Sequence, residues 1–167
     1  MRASLAVLFV GVMVLGAGIA RSQAPSATTP PAEHKAIAPG DIQWGDPPPV
    51  FNKGAKFSVL YGDPTKPTVY IVRLKMPAGY KIMPHWHPTD ENVTVISGSF
   101  AVGMGDKMDA KVKGLPAGSF FSMPAKMHHF AVAKGETIVE VAGMGPFQLT
   151  YINPEDDPSK QRASATP

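Results

Sequence analysis

Two short segments of the chain hold the side chains best suited to binding a metal. The stretch PHWHPTDE at residues 84–91 contains His85 and His87, and Glu91 follows four positions after His87. The stretch MHH at 127–129 contains His128 and His129, so four of the five histidines lie in these two segments. Imidazole nitrogens and carboxylate oxygens are donor atoms that divalent first-row metals accept. The clustering of these residue types therefore indicates a metal site.

The spacing of the first histidine pair suits a β-strand. Residues i and i+2 of a strand point to the same side, so both imidazoles can reach one ion at ~2.0–2.2 Å. Residues 88–90 turn the chain, and Glu91 begins the next strand, from which its carboxylate can supply a further ligand. The plainer interpretation is two surface histidines and an ordinary acid. It accounts less well for a second histidine pair downstream.

The elements that must position these residues are short strands. Apolar runs separated by Gly and Pro turns predict strands at 56–62, 68–76, 80–87, 91–98, 99–105, 118–124, 128–135, 137–145 and 146–153. No stretch after residue 20 shows a sustained helical period. Strands this short and frequent predict an all-β fold, either a sandwich or a small barrel, in a single domain.

The segment GYKIMPHWHPTDENVTVISG at 79–98 resembles the first sequence signature of the cupin superfamily. That signature consists of Gly, five residues, His-x-His, three or four residues, Glu, six residues and Gly. Its fixed positions are filled by Gly79, His85, His87, Glu91 and Gly98.

The segment GSFFSMPAKMHHFAVA at 118–133 is similar to the second cupin signature. Gly118 and Pro124 are in place, and His129 falls on the histidine position. Lys126 stands where the family has Gly, and Ala133 where it has Asn, which puts the geometry of this turn in question. The resemblance covers about residues 57–152.

The resemblance implies a double-stranded β-helix barrel of the jelly-roll type that holds one divalent transition metal. The implied ligands are His85, His87, Glu91 and His129. Adjacent strand residues face opposite sides, so only one histidine of the second pair can face inward. The family register selects His129. His128 then points outward, as a surface imidazole or as a proton carrier beside the site.

Alternation along the strands predicts what surrounds the metal. Met83 should lie on the same side of its strand as His85 and His87. In the same way, Val93 should lie on the side of Glu91, and Ala131 on the side of His129. These neighbours predict a mostly apolar pocket, suited to a small organic molecule or to dioxygen.

The chain divides into four segments. Residues 1–20 read as a signal peptide, 21–49 as a linker rich in Pro and Ala that leads into the fold, 50–153 as the barrel, and 154–167 as a polar tail. Residues 1–20 combine Arg2, an apolar run and small residues before Ala20, after which we expect cleavage. A retained membrane anchor is the alternative, but the apolar run is shorter than the ~20 residues of a spanning helix. We therefore expect a periplasmic or extracellular protein without a stable membrane span after processing.

Composition excludes several classes of function. The chain has no Cys, so it has no disulfide, no thiol nucleophile and no thiolate metal ligand. The net charge is +3 with scattered lysines, which gives no basic face for nucleic acid. Any metal must be held by His, carboxylate or Met side chains.

Two classes of function remain open. Three histidines and one glutamate leave about two positions free on an octahedral ion, whether Fe, Mn, Zn, Ni or Cu. One class is a metal-dependent enzyme acting on a small organic molecule, for which a dioxygenase-type oxidoreductase is favoured over an isomerase or decarboxylase. The other is a non-catalytic cupin that binds metal or a small ligand for sensing, storage or carriage. In either class the resemblance implies a homodimer.

Overall fold

The computed structural model describes residues 34–109 and 111–163, with the side chains of 161–163 excepted. The chain divides into two units, residues 1–35 and residues 36–167. Only residues 34 and 35 of the first unit are described, so the expected signal peptide at 1–20 lies outside the described residues. In the part of the chain that is described, no helix is long and apolar enough to cross a bilayer.

The described residues of the second unit form ten strands. They are β1 Lys56–Tyr61, β2 Val69–Met76, β3 Lys81–Trp86, β4 Glu91–Ser97, β5 Ser99–Met104, β6 Leu115–Pro116, β7 Phe120–Met123, β8 His129–Ala133, β9 Thr137–Met144 and β10 Thr150–Tyr151. Within residues 34–109 and 111–163, helical structure is confined to two 3-10 turns, Pro39–Asp41 and Pro154–Asp156, and to α1, Pro158–Ala163. The all-β prediction is confirmed. The short strand β6 and the helical turns within the polar tail were not predicted.

The strands form two antiparallel five-stranded sheets. One sheet, called the front sheet below, has the order β1-β2-β9-β4-β7, and the back sheet has the order β10-β3-β8-β5-β6. Apart from the pairs β1–β2 and β5–β6, neighbouring strands in each sheet are not consecutive in sequence, as in a jelly roll. Strands β3 and β4 lie in different sheets although one short turn joins them. That crossing brings both ends of the PHWHPTDE segment to the space between the sheets.

The core fills this space with alternate residues of β2, β4 and β9, whereas all five residues of β8 are buried. On β2 the buried positions are Tyr70, Val72, Leu74 and Met76, while the residues between them are half-buried on the outer face. On β9 Val139 and Val141 are buried in the same way. The period of two that the sequence shows is therefore realised, with the apolar set directed inward.

Strand β3 departs from this alternation through a β-bulge. Ile82 pairs with Ala131 and His85 pairs with His129, so three steps along β3 oppose two along β8. Pro84 lies inside the bulge, where the absence of its N–H breaks no regular ladder bond. Because of the bulge, the residues of β3 that precede His85 do not face inward in the order that strict alternation predicts.

Candidate metal centre

The structure brings the imidazoles of His85, His87 and His129 together between the sheets. His85 is the last residue but one of β3 and pairs directly with His129, the first residue of β8, while His87 directly follows β3. The three side chains are buried, and one ring nitrogen of each lies within 4.8 Å of the corresponding nitrogens of the other two. This group could hold a metal ion.

Glu91 joins the three histidines from the opposite sheet. Its Oε1 lies 3.5 Å from His87 Nε2, and its Oε2 lies 3.3 Å from His129 Nε2. Two donors of one ion, each ~2.0–2.2 Å away, lie roughly 3 Å apart when their bonds are at right angles. The observed separations are close to this spacing. Glu91 thus lies beside the histidine group, and its role as a fourth donor stays a prediction.

Backbone carbonyls fix the orientation of all three imidazoles. The Nδ1 of His85 forms a hydrogen bond of 2.7 Å with the carbonyl oxygen of Met83. The Nδ1 of His129 forms one of 2.9 Å with the carbonyl oxygen of Met127. The Nδ1 of His87 bonds the carbonyl of Gln148 at 2.7 Å. Since a carbonyl can only accept, each Nδ1 must carry the hydrogen, and in a neutral ring Nε2 then keeps its lone pair.

The Nε2 atoms are the best evidence that the centre suits a metal. Those of His87 and His129 are fully buried and have no hydrogen-bond partner among the described residues. Buried polar atoms are normally paired, because leaving one unpaired costs about 1–3 kcal/mol. A cation between these lone pairs would satisfy them, and the backbone carbonyls already supply the outer contacts typical of metal-binding histidines.

The charges of the centre also favour a divalent cation. Burial, together with the neighbouring imidazoles of His129 and His87, lowers the pKa of His85 to about 3. Burial by itself would raise the pKa of Glu91, but the three imidazoles outweigh it and lower the pKa of this carboxyl. At neutral pH, His85 therefore presents a lone pair and Glu91 a negative charge, as a divalent metal requires.

An apolar cavity of about 40 Å³ opens beside the four side chains. Val93 and Ala131 line it, as the sequence predicted, together with Tyr70 and Phe147. Phe147 lies against His87 with ring centroids 5.6 Å apart. Because one water needs about 10–15 Å³ of such volume, the space admits only a few water-sized groups.

The prediction that Met83 faces this cavity is wrong. Ile82 lines the cavity instead, and Met83 packs against the side of the apolar core. The physical reason is the β3 bulge, which shifts the parity between Ile82 and His85 by one residue. Pro84 is the sequence signal from which the bulge could have been expected.

His128 points away from the histidine cluster. Its Nδ1 lies 2.6 Å from Asp106 Oδ1, and both side chains are exposed. Glu140 of β9 pairs at 2.9 Å with Arg73 of the neighbouring strand, on the face opposite the cavity. Neither residue belongs to the centre.

The turn before β8 contains Lys126 where the family pattern has Gly. Lys126 has a φ of 64°, and Met127 N donates to Pro124 O at 3.0 Å across the turn. The N–H of Lys126 also donates to His87 O at 2.8 Å. The turn therefore ties the second histidine segment to the first despite the departure from the family pattern.

Comparison with known proteins identifies the family. Residues 35–150 match the model of a family described as a domain of unknown function, DUF4437. The chain belongs to the DUF4437 family. No curated protein matches this DUF4437 chain by sequence.

Solved structures similar to this DUF4437 protein are cupins. An RmlC-like cupin from Shewanella frigidimarina is 22% identical with a TM-score of 0.53, over 68% of this chain and 91% of its own. The polyketide cyclase RemF from Streptomyces resistomycificus is 15% identical with a TM-score of 0.63, over 78% and 94%. A candidate acetylacetone dioxygenase from Methylibium petroleiphilum is 18% identical with a TM-score of 0.59, over 83% and 99%. These likenesses establish the cupin fold expected from the two signatures.

Proposed function

We propose that this protein is a metal-dependent cupin of the oxygenase type that acts on a small organic molecule. His85, His87, Glu91 and His129 would hold one divalent transition metal. The observation that carries the proposal is the buried, unpaired Nε2 pair of His87 and His129, which faces the Glu91 carboxylate at the end of an apolar cavity.

The side chains of the centre have separable roles in this proposal. The three imidazoles are oriented by carbonyls of the barrel backbone, so they need not reorganise when a ligand binds. Glu91 offsets part of the positive charge. Phe147 and the valines of the front sheet exclude water from the cavity, which strengthens electrostatic interactions within it.

A redox-active metal at this position would supply Lewis acidity and one-electron chemistry to a substrate and dioxygen held together. Three features of the chain favour this class over hydrolysis. The cavity is apolar, four protein donors leave about two positions free on an octahedral ion, and the described residues place no further carboxylate or lysine in the cavity lining. The candidate acetylacetone dioxygenase shares the fold, which is compatible with the proposal.

The test is oxygen consumption by protein reconstituted with Fe(II), measured with an oxygen electrode against a panel of small keto acids, diketones and phenols. We expect substrate-dependent uptake that His87→Ala abolishes and His128→Ala preserves. Equal rates for wild type and His87→Ala, or no uptake with any substrate by a fully metal-loaded protein, would contradict an oxygenase.

A non-catalytic metal- or ligand-binding cupin is the second candidate. The small size of the cavity favours it, because about 40 Å³ leaves little space for a substrate beside the metal. This candidate predicts tight, reversible uptake of one metal per chain with no turnover. Elemental analysis of protein purified from its native compartment, combined with the oxygen measurements, separates the two candidates.

We further propose that the protein works outside the cytoplasm after removal of residues 1–20. The basic start, the short apolar run and the small residues before Ala20 support this location. N-terminal sequencing of the protein recovered from the periplasm or the medium should begin at Arg21. Recovery of an intact Met1 from the cytoplasm would contradict it.

A further inference from the structure

Tyr70 and Glu91 lie in one row that runs across the strands of the front sheet, with a single residue of the middle strand between them. On β9, Gly143 pairs with Tyr70 of β2 on one side and with Glu91 of β4 on the other. Directly paired residues of antiparallel strands place their side chains on the same face of the sheet. Both Tyr70 and Glu91 line the cavity, so this is the inner face.

Gly143 leaves the space that the Tyr70 ring occupies. A Cβ atom at this position would lie 2.7 Å from the Tyr70 hydroxyl oxygen and 3.0 Å from its Cζ. The hydroxyl therefore lies over the backbone of β9, between β2 and the strand that carries Glu91. A larger residue at 143 would displace the phenol from the side of the cavity that holds the histidine cluster.

Tyr70 is also chemically distinct from the rest of the lining. Among the described residues around the cavity, it alone brings a polar side chain apart from the three histidines and Glu91. The residue is 3% exposed, and none of the hydrogen bonds between described residues uses its hydroxyl. Burial and the nearby charge of Glu91 raise the pKa of Tyr70 to about 12, so the hydroxyl keeps its proton at neutral pH.

We propose that Tyr70 is a specificity-determining residue whose hydroxyl donates a hydrogen bond to an oxygen atom of the ligand in the cavity. This inference rests on the proposed metal site and defines the class of ligand it takes. The preferred ligand is a small carboxylate or enolate that has one oxygen for the metal and a second oxygen to accept the bond from Tyr70. A neutral nitrogen ligand such as imidazole has no acceptor left once its lone pair is used.

The inference is tested by ligand affinity, without reference to turnover. The full chain is loaded with Co(II), and acetate and imidazole are titrated separately while the visible absorption of cobalt is recorded. Replacing Tyr70 by Phe removes one oxygen atom and keeps the ring that packs against Phe147. We expect Tyr70→Phe to weaken acetate binding roughly tenfold and to leave imidazole binding within about twofold.

A second variant tests the placement of the hydroxyl. Gly143→Ala retains the phenol but displaces it, so it should weaken acetate binding in the same direction as Tyr70→Phe and spare imidazole. Unchanged acetate affinity in Tyr70→Phe, or an equal loss for acetate and imidazole, would overturn the inference while leaving the metal site standing. Failure of wild-type protein to take up Co(II) would overturn both the inference and the proposed function.

Discussion

His85 and His129 face each other directly across β3 and β8, with their ring centroids 4.2 Å apart. Each ring bonds through Nδ1 to the carbonyl two residues earlier in its own segment. Two segments more than 40 residues apart thus orient their imidazoles through the same kind of backbone contact, with the ring planes at 59° to each other.

Metal affinity should distinguish the two adjacent histidines of the second segment. His129→Ala removes a buried donor and should weaken Zn(II) binding by at least roughly 100-fold, since even residues that only orient ligands are worth about 10–100-fold. His128→Ala is the matched control and should bind like wild type, because its side chain contacts Asp106 outside the centre. Isothermal titration calorimetry measures both, and comparable losses in the two variants would contradict the assignment.

Metal should raise the thermal stability of the protein because it binds the folded chain in preference to the unfolded chain. At a free metal concentration 100 times the dissociation constant, the gain is about 2.7 kcal/mol, which corresponds to an increase in Tm of about 5 °C or more for a domain of this size. Scanning calorimetry with and without Zn(II) should show this increase, and a chelator should reverse it. His129→Ala should show a far smaller shift, and a shift as large as that of wild type would place the metal elsewhere.

Replacing Lys126 by glycine in the turn before β8 should stabilise the protein. A φ of 64° costs a non-glycine residue about 1–2 kcal/mol, whereas glycine adds about 0.5–1 kcal/mol of backbone entropy cost. Lys126→Gly should therefore increase the free energy of unfolding by about 0.5 kcal/mol in urea denaturation.

The neighbouring position supplies the control for this turn. Ala125 does not have a positive φ, so Ala125→Gly introduces only the entropy cost and should lower the free energy of unfolding by about 0.5–1 kcal/mol. A loss of stability in Lys126→Gly equal to that in Ala125→Gly would show that the positive φ stores no strain.

The two glycines that bound the first signature should differ in their sensitivity to substitution. Gly79 and Gly98 both have positive φ, at 77° and 78°. A Cβ at Gly79 would meet open space, but a Cβ at Gly98 would clash with Glu136 O and lie 2.9 Å from Thr137 Cα. Gly79→Ala should cost about 1 kcal/mol and Gly98→Ala about 3 kcal/mol or more. Equal losses in the two variants would contradict the steric account.

The sequence was sufficient to predict the fold class and the clustering of His85, His87, Glu91 and His129. Alternating apolar residues between Gly and Pro turns specify short strands, and the spacing in the two signatures specifies which side chains are directed inward. The parity rule failed only at Met83, because a bulge is a local insertion that strict alternation does not anticipate.

Other features depended on the tertiary fold alone. The carbonyl of Gln148 orients His87 across 61 residues of sequence, and since every residue has a carbonyl, no residue type marks this role. The row of Tyr70, Gly143 and Glu91 exists only because β9 lies between β2 and β4. The sequence by itself determined the chemistry of the donors, because side-chain type and strand period are local properties. The tertiary structure decided what orients the donors and what faces them, because strand order and register arise from packing between distant segments.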